Sequence, residues 1–327
     1  MKLSIIMPCH NEGKEFVEET LESIRASIDV EHEIIIVDDH SDVPLEIEGV
    51  RIIRHEENLG VGAAFDTGVK AAESEYLFLM GCDVRFAPNR WASLMLEEIG
   101  KYPRSLICTS VVHLGDGQPE LTFEMSRGNF VYNGATILMA WGKEEWNILK
   151  AEWLPRESRI VKKDNELATK MLAPYGVAPS MTESYEIACI LGAAYGTTKG
   201  WYQHIDGFWG HRKWGTLEPY ISLKSWLFGG SCLTAPHIET AHIFKYEGKH
   251  GTGLEFIAYN TLLVCWLLFN QEDRRWLLRH LKNHPWVERG KDMIAENILA
   301  IYDKQKEYQA KAVRSIDWFV KRFNLNF

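Results

Sequence analysis

Leu3-Ser-Ile-Ile-Met7 followed by Pro8-Cys9-His10-Asn11-Glu12, and further on Glu33-Ile-Ile-Ile-Val37 followed by Asp38-Asp39, is the stretch whose reading decides the fold. These two mostly apolar runs, broken only by Ser4 and led by Glu33, are too short for helices and lack the alternation of a half-wet strand. They read as strands buried on both faces. Between them, Val17, Leu21, Ile24 and Ile28 recur at helical spacing, which predicts an amphipathic helix from about Lys14 to Ala26. The alternation continues with a short strand over Val50–Arg54, a small-residue helix over Gly60–Ala72, and a strand Tyr76-Leu-Phe-Leu-Met80 that ends at Gly81-Cys82-Asp83. Strand–helix alternation of this kind implies an α/β fold with a mostly parallel central sheet flanked by helices. Ligands of such sheets sit beyond the carboxyl ends of the strands, and His10, Asn11, Asp38, Asp39 and Asp83 all fall there.

Working outward, periodicity weakens between Leu114 and Ser184, where Gly, Pro and Trp are frequent, as in an insertion or a loop system. A compact segment follows from Glu186 to Tyr246. Helical patterns then cover Leu254–Phe269, Arg274–Lys282 and a long Asp292–Phe323. The chain has 327 residues with a formal charge of −9, which argues against a generic DNA-coating protein. Its six cysteines are scattered without a CxxC pair, so neither a zinc site nor a disulfide framework reads from them. The most apolar run, Phe256–Phe269, is too short to span a bilayer. Met1-Lys2 leads straight into an apolar strand without signal-peptide architecture, and a cytoplasmic location is expected.

The run Pro8-Cys9-His10-Asn11-Glu12 between strand and helix, with Val37-Asp38-Asp39 after the second strand, resembles the opening of family 2 glycosyltransferases of the GT-A fold. Asn58-Leu-Gly60-Val-Gly62 resembles that family's Asn-x-Gly helix start, and Asp83 falls where it carries Asp-x-Asp. Trp214-Gly-Thr-Leu-Glu218 and Ala241-His242-Ile-Phe-Lys245 are similar, in the same order, to runs in the C-terminal half of the polypeptide GalNAc-transferase catalytic domain. The resemblance covers roughly residues 1–112 and 186–250. It implies a GT-A domain over 1–250 with a helical C-terminal extension over 251–327, and a nucleotide-diphosphate sugar, most plausibly a UDP-sugar, as donor.

The same resemblance implies roles. Asp83 and His242 are the expected ligands of Mn²⁺ or Mg²⁺, an oxygen and an imidazole donor favouring the former. Pro8, His10 and Asn11 line the base side, Asp39 meets the nucleotide with Asp38 supporting it, and Asn58, Gly60 and Trp214 complete the donor wall. Glu218 is the expected catalytic carboxylate, taking the acceptor's proton or orienting the sugars. One departure stands out: Gly81 occupies the position of the first acid of Asp-x-Asp. Arg85, Lys245 or Lys249 is therefore an expected source of positive charge for the phosphates. Each site residue also has an ordinary structural alternative: Asp83 as a turn cap, His242 as an interior histidine, Glu218 as an acid favoured at a helix start.

The acceptor is a hydroxyl of unassigned class: glycan, lipid-linked intermediate, protein or a hydroxylated base in viral DNA. DNA stays open because residues 271–327 hold 12 basic and 8 acidic residues, an anion-facing surface or simply a solvated one. A degenerate scaffold that binds nucleotide sugar without transferring it is the alternative of another class.

Overall fold

The computed structural model describes residues 1–86, 90–115, 131–139, 149–155, 182–244, 253–280 and 285–325. The first hundred residues follow the alternation closely: β1 (Leu3–Cys9), α1 (Lys14–Ser27), β2 (His32–Asp38), β3 (Arg51–Arg54), α2 (Val61–Ala71), β4 (Tyr76–Met80), β5 (Val84–Phe86) and α3 (Trp91–Lys101). Every residue of β1 is buried, because helices cover both faces of the sheet it occupies. Helix α1 turns Val17, Leu21 and Ile24 inward, one stripe at helical spacing. Helix α2 is built of small residues because it lies hard against β1; a side chain at Gly68 would collide with Ile6.

The later strands are β6 (Ser105–Gly115), β7 (Val131–Met139), β8 (Leu149–Pro155), β9 (Tyr185–Glu186), β10 (Ala194–Thr198) and β11 (Ser231–Phe244). The main path of the sheet runs β3-β2-β1-β4-β10-β6-β11-β5, with β7 and β8 continuing from β6, and β9 on β11. Strands β1 to β4 are parallel. Strand β10 enters antiparallel between β4 and β6, and β11 lies parallel to β6. The end of β11 therefore reaches the same edge of the sheet as the ends of β1, β2 and β4. There β5 pairs antiparallel with residues 240–242, which sets the turn carrying Asp83 against His242.

Among the described residues the remaining helices are α4 (Lys199–His204), α5 (Leu217–Leu227), α6 (Leu254–Leu268), α7 (Gln271–His280), α8 (Pro285–Glu296), α9 (Ile298–Lys311) and α10 (Ile316–Phe323). The long helix expected over Asp292–Phe323 is instead three. Asn297 leaves helical geometry and its amide caps the Met293 carbonyl at 2.9 Å. After α9 the chain extends so that the amides of Val313 and Arg314 reach the Leu227 carbonyl, and Ser315 then caps α10. These helices join the same hydrophobic core as the sheet.

A buried polar hub fixes them in place. The Lys224 ammonium, fully buried, donates to the carbonyls of Asp206 and Gly207 and lies 4.0 Å from the Tyr220 ring centre. Burial pulls its pKa down, against the pull of Asp206 and Asp66. From α9, Tyr308 donates to Asp206 at 2.9 Å and Lys304 pairs with it at 3.0 Å. Some of the tail's basic residues pair with acids: Lys291 sits on Glu288, Lys306 on Asp303, Lys311 on Glu307 and Arg322 on Glu186.

Candidate active site

At the carboxyl ends of β1 and β2 the backbone turns sharply, with Asn11 and His40 both at positive φ. Asp38 is buried and faces inward. Its carboxylate accepts from the amides of Ser41 (2.9 Å) and Leu45 (3.3 Å) and from Arg54. Burial opposes ionisation, but the donors around it hold its pKa below the ordinary range. Asp38 thus fastens the loop after β2 to β3. Asp39 is also buried and accepts from the amides of Leu59 (2.9 Å) and Gly60 (2.7 Å) and from His55 Nδ1 at 2.7 Å. It ties the loop after β2 to the start of α2. Gly60 must be glycine there: its φ is +100° and a side chain would collide with the backbone of Lys213.

The rim of this cradle is polar and reachable. His10 and Asn11 are exposed, and Asn58 is half-buried. Asn58 Nδ2 lies 2.9 Å from His10 Nε2, and His10 Nδ1 lies 2.9 Å from the Asp39 carbonyl. The structure therefore gathers Pro8, His10, Asn11, Asp38, Asp39, Asn58 and Gly60 at one corner of the sheet edge.

The second cluster lies where β5 meets β11. His242 Nε2 is 3.4 Å from Asp83 Oδ1, and each side chain keeps about a fifth of its surface open (18% and 20%). The carboxylate of Asp83 fills the space above Gly81, where a Cβ would collide with it. The Asp83 side chain is thus folded back over the residue that stands in the first acid's position. Glu218 stands in the first turn of α5, half-buried, beside Gly192, at which a Cβ would come within 2.7 Å of its carboxylate. Burial raises its pKa, opposed by its own amide, His242, Trp153 and the Gly192 amide. Trp153 of β8 lies beside Glu218, favouring its ionised form, and packs edge-on to the His242 ring at 5.9 Å between centroids. Asp83, His242, Glu218 and Trp153 thus form one group.

One expectation comes out differently. Arg85 does not face this group: its guanidinium reaches α1, donating to Glu19 at 3.0 Å and to Thr20 and lying 4.8 Å from the Phe16 ring centre. The reason is strand parity; Val84 and Phe86 pack into the core, and Arg85 exits on the opposite side. Lys245 and Lys249 lie outside the described residues. Trp214 is half-buried in the turn before α5, which Asn260 of α6 holds through the carbonyls of Arg212 (2.7 Å), Trp214 (3.2 Å) and Gly215 (3.2 Å). His211 steadies the same turn, bonding the Gly215 carbonyl at 2.7 Å; burial lowers its pKa to about 4.

Trp153, His55 and Lys213 were not singled out from the sequence. Trp153 lies in the aperiodic region, and no local pattern reports that β8 brings it to Glu218. His55 follows a strand, and that was its only signal. Lys213 stands among other aromatic and cationic residues, Trp209, His211, Arg212 and Trp214, and nothing local sets it apart from them.

Residues 4–151 match the family model described as glycosyl transferase family 2. The chain carries a glycosyl transferase family 2 domain. Beyond that domain, the similarity extends over most of the chain. It is 22% identical over 304 residues to polypeptide N-acetylgalactosaminyltransferase 11 of Xenopus tropicalis, covering 86% of this chain and 45% of that protein. It is 23% identical over 255 residues to polypeptide N-acetylgalactosaminyltransferase 10 of Homo sapiens, covering 74% and 38%. The chain spans less than half the length of these relatives. Among solved structures, that of GalNAc-T7 with UDP, GalNAc and Mn²⁺ superposes with a TM-score of 0.67 at 17% identity, over 98% of this chain and 56% of that one. The family 2 domain and the strands that complete its sheet thus share the GT-A fold. No helix among the described residues is long and apolar enough to cross a membrane.

Proposed function

We propose that the protein transfers a sugar from a UDP-sugar to a hydroxyl acceptor. The observation that carries this reading is the convergence of Asp83, His242 and Glu218 on the sheet edge that also bears the His10–Asn11–Asn58 cradle. Two charged functions are needed for such a transfer: one stabilises the departing diphosphate, the other receives the acceptor's proton.

Asp83 and His242 fit a divalent cation as a pair, an oxygen and an imidazole nitrogen 3.4 Å apart. Among the described residues no group of three His, Cys, Asp or Glu side chains forms a fuller site. A two-ligand set suits an ion whose other positions are filled by water and substrate phosphates. Mn²⁺ held there would supply charge neutralisation to the leaving diphosphate. The cradle holds the nucleoside, Asp39 and Asp38 fixing its walls. As the acceptor oxygen bonds the anomeric carbon and the bond to the diphosphate breaks, Glu218 takes the hydroxyl proton. Its raised pKa suits it to that task. Trp153 holds the carboxylate in place.

Thermal unfolding with UDP and Mn²⁺ tests the donor site. Ligand at about 100 times Kd stabilises by about 2.7 kcal/mol. The expected result is a rise that needs both components and is lost in Asp83→Ala. Stabilisation by UDP that ignores the metal overturns the metal role; no stabilisation overturns the donor assignment.

A further inference from the structure

We infer that Lys213 is a positioning residue that fixes the tautomer of His10, so that the histidine meets the nucleoside with its ring face rather than with a nitrogen. The inference deepens the donor reading above and rests on it for the identity of the ligand.

The argument follows donors and acceptors along one chain of hydrogen bonds. An ammonium can only donate. Lys213 Nζ lies 2.9 Å from Asn58 Oδ1 and 2.5 Å from the Asn58 carbonyl, so the amide oxygen faces the lysine. The Asn58 amide nitrogen is then the atom 2.9 Å from His10 Nε2, which must accept. At the other side of the ring, Nδ1 lies 2.9 Å from the Asp39 carbonyl, which can only accept, so Nδ1 carries the proton. Asn11 agrees independently. Its Oδ1 accepts from the Asp42 amide at 2.8 Å, which turns its nitrogen toward His10 Nε2 at 3.4 Å. Both ring nitrogens are engaged, and the exposed ring offers its face, the surface on which a base stacks.

Lys213 is held for this role by its backbone. Its amide and carbonyl pair with Leu59 (3.3 Å) and Val61 (3.1 Å) around Gly60, and its φ of +53° aims the side chain back at Asn58. Five residues later the same turn delivers Glu218. Without the ammonium, the Asn58 amide can turn over and present its oxygen to His10 Nε2, which then competes for the proton against the Asp39 carbonyl at Nδ1.

The test uses Lys213→Asn, since asparagine tolerates positive φ and keeps the turn while removing the ammonium, and Lys213→Arg, which restores a donor-only group. In ¹⁵N-histidine spectra, with His10 assigned from His10→Gln, the unaltered chain should show Nδ1 protonated and Nε2 bare. Lys213→Asn should mix the tautomers and weaken UDP binding about tenfold by calorimetry, with kcat nearly unchanged, and Lys213→Arg should recover both. A proton on Nε2 in the unaltered chain overturns the inference. So does weaker UDP binding in Lys213→Asn with the tautomer unchanged, which is what a merely structural role produces. The expected tautomer with no UDP binding in the unaltered chain overturns the donor reading and, with it, the nucleoside half of the inference.

Discussion

The two halves of the sheet edge are built on opposite principles. At the His10–Asp39–Asn58 corner the buried carboxylates are saturated: Asp38 and Asp39 each accept from two backbone amides and one basic side chain. At the Asp83–His242–Glu218 corner the groups are partly open to solvent, with a glycine where the resemblance anticipates an acid. A cradle whose polar atoms are already paired is preorganised, and binding a nucleoside there costs little rearrangement. A pair of ligands with open positions is completed by its substrate. The comparison teaches that the nucleoside should be positioned by the first corner, while the diphosphate, its cation and the chemistry belong to the second.

The largest expected effect breaks the second corner alone. Glu218→Gln should lower kcat by roughly 10²–10⁴, the range for a lost general base, with UDP affinity by calorimetry within about twofold of the parent. Equal losses in both would erase the division of labour. Next, Asp39→Ala should cost about 3 kcal/mol of folding stability, because two amides and His55 lose a charged acceptor. Denaturant unfolding checks this, and UDP affinity should fall in parallel while an Asp83→Ala change leaves stability near that of the parent. The smallest effect sharpens the comparison. Gly81→Asp, which restores the acid, should weaken Mn²⁺-dependent activation a few-fold rather than strengthen it, since any side chain there displaces the Asp83 carboxylate. Tighter Mn²⁺ dependence in a metal titration of activity would show that Asp83 can move aside.

Much of the first corner was legible without coordinates. Buried strands written as mostly apolar runs, and helices written as 3.6-residue stripes, place His10, Asn11, Asp38 and Asp39 at strand ends to within a residue or two. The C-terminal helices were harder. The pattern over Asp292–Phe323 stays amphipathic through both breaks, and the breaks come from the Asn297 cap and from amides of Val313 and Arg314 drawn to Leu227 in another helix. Arg85 was misplaced because three residues of strand give no indication of which side of the sheet they face until their partner, β11, is known.

The sequence by itself determined the alternating core, the polar strand ends and the substitution of Gly81, since each of these depends on residues close together in the chain. Only the tertiary structure decided that antiparallel β10 lets β11 run parallel to β6, so that His242 arrives beside Asp83 from 159 positions away. Only it decided that β8 brings Trp153 to Glu218 and that Lys213 closes over Gly60. Pairings between distant strands leave no local period to read, because their register is set by burial on the assembled sheet rather than by any neighbour in the chain.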